Sequence, residues 1–350
     1  MDTAAPLHAT DRYYMMLAIE QAKRGLYTTR PNPAVGCIVV KDGQIIGQGF
    51  HPKAGQGHAE VYALAEAGEQ ACGATAYVTL EPCSHTGRTP PCAKALIATN
   101  VARVVIAGLD PNPQVSGRGV ALLEAAGIAV TVGVMTAQAE ALNTGFLKAM
   151  RTQMPYVRLK TAMSLDGRTA MADGSSKWIT SDAARQDVQH LRARSAAIIT
   201  GSQTVIADDP ALTVRSQQLG VDITTIPTPK VVVLDRRNRL AFSETAAYQL
   251  CRREDTVFWR HDDLTALLRD LVETHDCHDV LVEAGAQVAG SFLAQGLVDE
   301  LIVYQAPCLL GSQTQPMVTY HPLSLSEQLR FDCISHERIG SDIKMVFKPV

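Results

Sequence analysis

Apolar positions in the first 150 residues alternate between a helical rhythm and short extended runs. Asp11 to Arg24 carries its apolar residues at helical spacing and stops at Gly25, which predicts a helix. Val35–Val40 and Gln44–Phe50 flank Asp42-Gly43, a pair suited to the positive φ of a tight hairpin. Helices are expected at Ala59–Ala67, Cys92–Ala98 and Val120–Ala126, the first stopping near Gly68 and the last at Gly127. Strands are expected at Ala76–Leu80, Arg103–Ala107 and Ile128–Val132. Strands separated by helices imply a sheet covered on its faces, an α/β layer architecture.

A helix over Thr136–Met150 leads into Arg151-Thr152-Gln153-Met154-Pro155, after which the pattern restarts. The break divides the chain into domains 1–152 and 153–350. In the second, strands are expected at Tyr156–Met163, Ala196–Thr200, Lys230–Leu234, Val280–Glu283 and Glu300–Gln305. Helices are expected at Asp182–Arg194, Leu264–Glu273 and Ala286–Gln295, and residues 216–229 read as a loop.

A length of 350 residues suits two domains, and 46% hydrophobic with 19% charged residues can fill two cores. The net charge of −3 argues against a long nucleic-acid partner, which usually demands a basic surface. No stretch approaches the roughly 20 apolar residues of a membrane span, and the first residues lack a signal peptide's basic and apolar regions. Eight irregularly spaced cysteines do not form a disulfide framework, so a cytoplasmic location is expected and paired cysteines suggest metal.

His58-Ala59-Glu60, Pro82-Cys83 and Cys92 are the sharpest feature. His58, Cys83 and Cys92 offer zinc three ligands and leave a fourth position for water. Glu60 falls just inside the helix that His58 opens, where a carboxylate can exchange protons with that water without ligating the metal. His-x-Glu with a distant Pro-Cys…Cys is the zinc-deaminase pattern, here with eight residues rather than two between the cysteines. A closed structural zinc site, with His85 or His51 as fourth ligand, is the competing reading, and Glu60 distinguishes the two. Cys37 and Cys72 read as inert.

Thr29-Arg30-Pro31-Asn32-Pro33-Ala34-Val35-Gly36, His58-Ala59-Glu60 and the run from Glu81-Pro82-Cys83 to Pro90-Pro91-Cys92 together resemble the bifunctional riboflavin-biosynthesis deaminase–reductases. The long cysteine spacing is that family's own form. Arg158-Leu159-Lys160, Ser164-Leu165-Asp166-Gly167-Arg168, Trp178-Ile179-Thr180, Ala207-Asp208-Asp209-Pro210-Ala211-Leu212-Thr213 and Val282-Glu283-Ala284-Gly285 extend the likeness over nearly the whole chain. The resemblance implies a cytidine-deaminase-like three-layer α/β/α domain followed by a dihydrofolate-reductase-like α/β domain. It implies that zinc-activated water first removes the 2-amino group of 2,5-diamino-6-(5-phosphoribosylamino)pyrimidin-4-one, and that NADPH then reduces the product's ribosyl unit to ribityl.

The resemblance also implies site residues. Glu60 is catalytic, with Asn32, His51, Arg88, Asp110 and Asn112 around the pyrimidine. Ala162, Trp178, Thr204, Asp208 and the Gly285 turn contact the nicotinamide cofactor, and Asp208 assists proton movement as the ribose opens, with Lys160 a weaker candidate. Ser176, Arg192, Leu212, Arg215 and Glu283 hold the second substrate, Arg192 and Arg215 being suited to its phosphate. Arg236 departs from the family, which more often has a small residue near the cofactor's adenosine end. Ala284 and Ala286 stand where Gly and Pro are common. No G-x-G-x-x-G follows a strand, so a Rossmann site is not supported. A zinc nucleoside or tRNA deaminase with an unrelated second domain is the alternative, but it calls for a basic, aromatic face, and aromatics are 5% of the chain. Deaminase folds of this type often assemble, so a homo-oligomer is expected.

Overall fold

The computed structural model describes residues 4–85, 90–112, 115–215, 217–240 and 247–350. The chain divides into two compact units, Met1–Thr152 and Gln153–Val350.

In the first unit, α1 (Ala4–Lys23), β1 (Gly36–Lys41), β2 (Gln44–Phe50), α2 (Ala59–Ala67), β3 (Thr75–Val78), α3 (Cys92–Ala98), β4 (Arg103–Ile106), α4 (Arg118–Ala125) and β5 (Ala129–Val132) follow in order. The sheet order is β2-β1-β3-β4-β5, with β1 antiparallel to both neighbours and β3, β4 and β5 parallel. Because strand side chains alternate between faces, the sheet has two cores. Ile38, Val40, Tyr77 and Val105 pack with Met15, Ala18 and Ile19 of α1. Cys37, Val39, Ala76, Val78, Val104 and Ile106 pack with residues of α2, α3 and α4. The result is the three-layer α/β/α arrangement that the resemblance implies.

Helix α2 lies close on β2, and two glycines allow it. A Cβ at Gly47 would stand 2.1 Å from the Ala63 carbonyl oxygen, and one at Gly49 would stand 2.4 Å from that of Ala59. Side chains there would lift the helix that carries His58 and Glu60 off the sheet.

The single helix expected over Thr136–Met150 is instead two, α5 (Thr136–Glu140) and α6 (Thr144–Thr152). The break falls at buried Asn143, whose carbonyl accepts from the Ala34 N–H at 2.8 Å and whose amide donates to the Ala34 carbonyl at 2.9 Å.

The second unit contains β6 (Tyr156–Met163), β7 (Arg168–Ala170), α7 (Asp182–Arg194), β8 (Ala197–Gly201), α8 (Ser202–Asp208), β9 (Lys230–Leu234), β10 (Val257–Trp259), α9 (Leu264–Glu273), β11 (Asp279–Val282), α10 (Ala286–Ala294), β12 (Glu300–Gln305), β13 (Gln315–Pro316), β14 (Phe331–Ile339) and β15 (Asp342–Pro349). Its main sheet has the order β10-β9-β8-β11-β6-β12-β15-β14. The strands from β10 to β12 are parallel, and β15 and β14 complete an antiparallel edge. Every residue of β8 is buried, as expected for a parallel strand covered on both faces. On one face, α9 inserts Leu264, Leu267, Leu268, Leu271 and Val272, and the Asp263 side chain caps it by accepting from the Ala266 N–H at 2.9 Å.

Besides the short strands β7, β10 and β13, two further features depart from the expected pattern. Helix α8 follows β8 directly and is too short to show a periodic face. The β14–β15 hairpin escapes because β14 is largely exposed, so its alternation has no buried side. Residues 216–229 include short 3₁₀ turns at Gln217–Leu219 and Ile223–Thr225. No helix among the described residues is long and apolar enough to cross a membrane.

Candidate active sites

His58, before α2, Cys83, in the loop after the central strand β3, and Cys92, at the start of α3, converge with their ligand atoms all within 4.8 Å of one another. His58 occupies the N-cap of α2, but its side chain makes no capping bond and turns to the cysteines. Its Nδ1 stands 3.6 Å from the Cys83 Sγ and 3.3 Å from the Cys92 Sγ. Cys92 opens α3, and its backbone N–H donates to the Cys83 sulfur at 3.3 Å. The hydrogen bond from the Cys92 thiol lowers the Cys83 pKa to about 4, whereas that bond and burial raise Cys92. One proton thus holds the two sulfurs together, and a dication among the three donors displaces it. The donor set fits zinc.

Glu60, in the first turn of α2, is 3% exposed, and its Oε2 has no hydrogen-bond partner. Burial raises its pKa above the usual carboxylate range, with His58 opposing. A desolvated carboxyl with one free oxygen beside an open coordination position can take up and return a proton. A closed structural zinc site has no use for it. His51 is committed elsewhere: its Nδ1–H donates to the Gly57 carbonyl at 2.9 Å and its Nε2 faces the Asn32 amide nitrogen at 3.1 Å. Burial lowers its pKa, keeping the ring neutral and Nε2 an acceptor. This orients Asn32 so that its carbonyl oxygen and second N–H are left for a ring that presents both a donor and an acceptor.

Asp110 is buried, and desolvation raises its pKa to about 6; its carboxylate accepts from the Asn112 N–H at 2.8 Å. This segment is held by Glu81, which the sequence reading quoted within a motif but gave no role. The buried Glu81 carboxylate accepts from the backbone N–H groups of Asp110, Gly117, Gly119 and Val120 at 2.9–3.3 Å. Arg88 lies outside the described residues.

A cleft of about 1430 Å³ opens in the second unit. Ala162, Ser176, Trp178, Arg192, Thr204, Asp208, Leu212, Arg215, Glu283 and Gly285, all the second-domain candidates, line it together with Lys160. The short helix α8 brings Thr204 and Asp208 there from the end of β8. At the inner wall, Arg192 grips Glu283 with Nε and Nη2 at 2.7 and 3.0 Å, with both side chains at most 12% exposed. Burial opposes the Glu283 charge, yet Arg192, Lys160 and Arg215 hold its pKa below the ordinary value. Burial lowers the Lys160 pKa, against the pull of Glu283. Arg192 is therefore a fixed partner of Glu283 rather than a free phosphate anchor, while Arg215 stands exposed at the rim.

Trp178 is 68% exposed, with the Arg185 guanidinium 4.3 Å from its ring centroid. Asp208 is joined by Lys177, which the sequence reading missed; Lys177 Nζ lies 4.0 Å from the Asp208 carboxylate and donates to its backbone carbonyl at 3.2 Å. Gly285 caps α10, and a Cβ there would meet nothing within 4 Å. The unspent N–H groups of the helix's first turn suit an anionic ligand. A long cleft at the carboxyl ends of parallel strands, with a glycine turn at a helix start, fits a nucleotide cofactor.

Residues 8–108 match the family model "Cytidine and deoxycytidylate deaminase zinc-binding region", and residues 155–345 match "RibD C-terminal domain". The chain is 50% identical to the riboflavin biosynthesis protein RibD of Escherichia coli, across 95% of this chain and 98% of that protein. It is 40% identical to RibD of Aquifex aeolicus, across 97% and 98%. A solved structure of Acinetobacter baumannii RibD matches with a TM-score of 0.92 at 52% identity, covering 98% of this chain and 99% of that one. A Thermotoga maritima structure, described as a diaminohydroxyphosphoribosylaminopyrimidine deaminase/5-amino-6-(5-phosphoribosylamino)uracil reductase, matches with a TM-score of 0.88 at 34% identity over the same shares. On these grounds the chain belongs to the RibD family of riboflavin biosynthesis, a zinc-dependent deaminase joined to a reductase.

Proposed function

We propose that residues 1–152 hydrolyse the 2-amino group of 2,5-diamino-6-(5-phosphoribosylamino)pyrimidin-4-one, and that residues 153–350 reduce the ribosyl unit of the product to ribityl with NADPH. The observation that carries this reading is the orphaned, buried Glu60 oxygen beside three convergent zinc donors.

In the first reaction His58, Cys83 and Cys92 hold zinc, which supplies Lewis-acid activation of water. Asn32, oriented by neutral His51, fixes the ring edge. Asp110 and Asn112, on the segment that Glu81 ties down, line the pocket, with Arg88 as the remaining contact. Glu60 takes a proton from water as the new carbon–oxygen bond forms and returns it to the departing nitrogen, so that ammonia leaves as the carbon–nitrogen bond breaks.

For the second reaction the cleft would hold NADPH, whose nicotinamide would be the source of hydride. Ala162, Trp178, Thr204 and Gly285 form the cofactor's side of the cleft, and Ser176, Leu212, Arg215 and the Arg192–Glu283 pair form the substrate's side. Arg215 answers the substrate phosphate. Asp208, steadied by Lys177, passes the proton that the ring oxygen receives as the ribose opens.

Ammonia release and loss of absorbance at 340 nm are followed together on metal-replete wild type and Glu60→Gln. The variant is expected to lose about 10²–10⁴-fold in deamination, to keep its zinc, and to oxidise NADPH normally when given the deaminated intermediate. Undiminished ammonia release by Glu60→Gln overturns the assignment.

A further inference from the structure

Two lysines reach one buried ring from the strands on either side of it. Tyr304, on β12, pairs with Ala162 on β6 and with Lys344 on β15, and Lys160 on β6 pairs with Ile302. Paired residues point to the same face of a sheet, and alternate residues of a strand share it. Lys160, Ala162, Ile302, Tyr304 and Lys344 therefore lie together on the face that Ala184 and Val188 of α7 cover. Tyr304 is fully buried there, with the Lys160 Nζ 5.9 Å and the Lys344 Nζ 6.0 Å from its ring centroid.

The two ammonium groups are in different states. Lys344 is spent: it lies 2.7 Å from the Asp187 carboxylate of α7 and 3.3 Å from that of Glu337 on β14. Lys160 makes no hydrogen bond or ion pair among the described residues, and the ring is the group it packs on. A lysine taken out of water is normally paired, because burial disfavours its charge. A ring face offsets part of that cost through its negative potential and takes none of the three N–H donors. Lys160 thus keeps its donors for whatever enters the cleft, which it lines beside Glu283 and Arg192.

The ring itself is fixed in place. Its hydroxyl donates to the same Asp187 oxygen that holds Lys344, so one carboxylate pins the far end of the side chain while α7 covers it. Burial and Asp187 push the Tyr304 pKa up, so the phenol stays protonated and carries no proton to or from the cleft. Tyr304 is not part of the cleft's lining. What it can supply is position.

We propose that Tyr304 is a positioning residue of the reductase site: with its hydroxyl locked by Asp187, its ring sets where the Lys160 ammonium stands, and Lys160 presents its donors to the oxygens of the substrate's ribosyl unit. The proposal rests on the reductase reading above and adds to it a residue that touches neither substrate nor cofactor.

The test is a double-mutant cycle on the full-length protein, read as NADPH oxidation at varied concentrations of the deaminated intermediate. Tyr304→Leu is expected to lower kcat/KM of the reduction about tenfold, the scale of a small misplacement of a group that meets the substrate, with ammonia release unchanged. Tyr304→Phe keeps the ring and gives up only the bond to Asp187, and is expected to lose about threefold. Lys160→Met is expected to lower the reduction at least as far as Tyr304→Leu does. In the Lys160→Met background Tyr304→Leu is expected to have no added effect, because the ring acts through the ammonium. A role confined to folding, or to the docking of α7 and its Arg192, would instead add its loss to that of Lys160→Met. Additive losses, or full reductase turnover in Tyr304→Leu, overturn the proposal and leave the reductase reading standing. Should Tyr304→Leu fold poorly, the cycle is run with Tyr304→Phe under the same criterion. A wild type that oxidises no NADPH with the intermediate overturns the reductase reading itself.

Discussion

The site of the first unit and the cleft of the second hold their polar groups together by different means. In the first, every candidate zinc donor falls within residues 58–92, at the starts of two helices and in the loop after β3. Its groups converge on a point, and a single shared proton, or a metal in its place, governs their charge. The second draws its lining from Lys160 to Thr319, and its charges answer one another in pairs: Arg192 with Glu283, Lys177 with Asp208, Arg236 with Asp262. A small reacting centre needs a few ligands at fixed distances, whereas a long cofactor needs a surface. One site therefore depends on an ion and the other on a lattice of ion pairs, of which Arg192–Glu283 is the buried one.

The strongest way to break this contrast is to remove the metal. Treatment with a chelator is expected to reduce ammonia release to background, with recovery on adding zinc. Reduction of the deaminated intermediate is expected to continue at the untreated rate, because none of the cleft's lining residues belongs to the donor set. A parallel fall in both activities would show that the second site also depends on the ion.

The reverse experiment disturbs the lattice. Glu283→Gln leaves the Arg192 guanidinium buried without its counter-charge, and breaking such a pair costs about 3–5 kcal/mol. Its pH dependence has a definite sign. The folded-state pKa of Glu283 is depressed, so the stability it contributes is present above the ordinary glutamate range and is lost as pH falls through the lower folded value. The difference in Tm between wild type and Glu283→Gln is therefore expected to be widest near neutral pH and to close as the pH drops below about 4. A gap that persists in acid would mean that packing, not charge, holds the pair. Ammonia release at temperatures below both transitions is expected to be unchanged.

The same contrast explains what could be read from the chain. His58, Glu60, Cys83 and Cys92 were legible because metal chemistry restricts both residue type and spacing, and the structure brings the four together. Helices and strands with one buried face were legible for the same kind of reason: their periods are short and regular. Lys177 gave no signal, since an exposed lysine beside a carboxylate has no periodic trace. Glu81 was hidden because its partners are backbone N–H groups, which any residue supplies. Arg192 looked like a phosphate anchor until its fork was seen on Glu283, a contact across 91 positions of sequence. Helix α8 and β14 lacked, respectively, the length and the buried face that a periodic pattern needs.

The smallest expected effect concerns a residue that belongs to the first site without touching the metal donors. Asn143 holds the Ala34 backbone from both directions, and Ala34 lies two residues beyond Asn32. Replacement by leucine keeps the volume similar but leaves a buried N–H and a buried carbonyl without partners, at about 1–3 kcal/mol each where the loop cannot relax. Relaxation of the loop would move Asn32 out of its register with His51, so part of the cost appears as poorer substrate binding instead of lost stability. Asn143→Leu is accordingly expected to lower the Tm modestly and to raise the deaminase KM by about tenfold, the equivalent of some 1.4 kcal/mol. Its kcat and zinc content should change little, because Glu60 and the three donors sit on other elements. Steady-state ammonia release at varied substrate concentration separates the outcomes. A loss confined to kcat would place Asn143 on the reacting centre itself, and a loss of zinc would mean that the convergence of His58, Cys83 and Cys92 depends on the helix break as well as on their own short span.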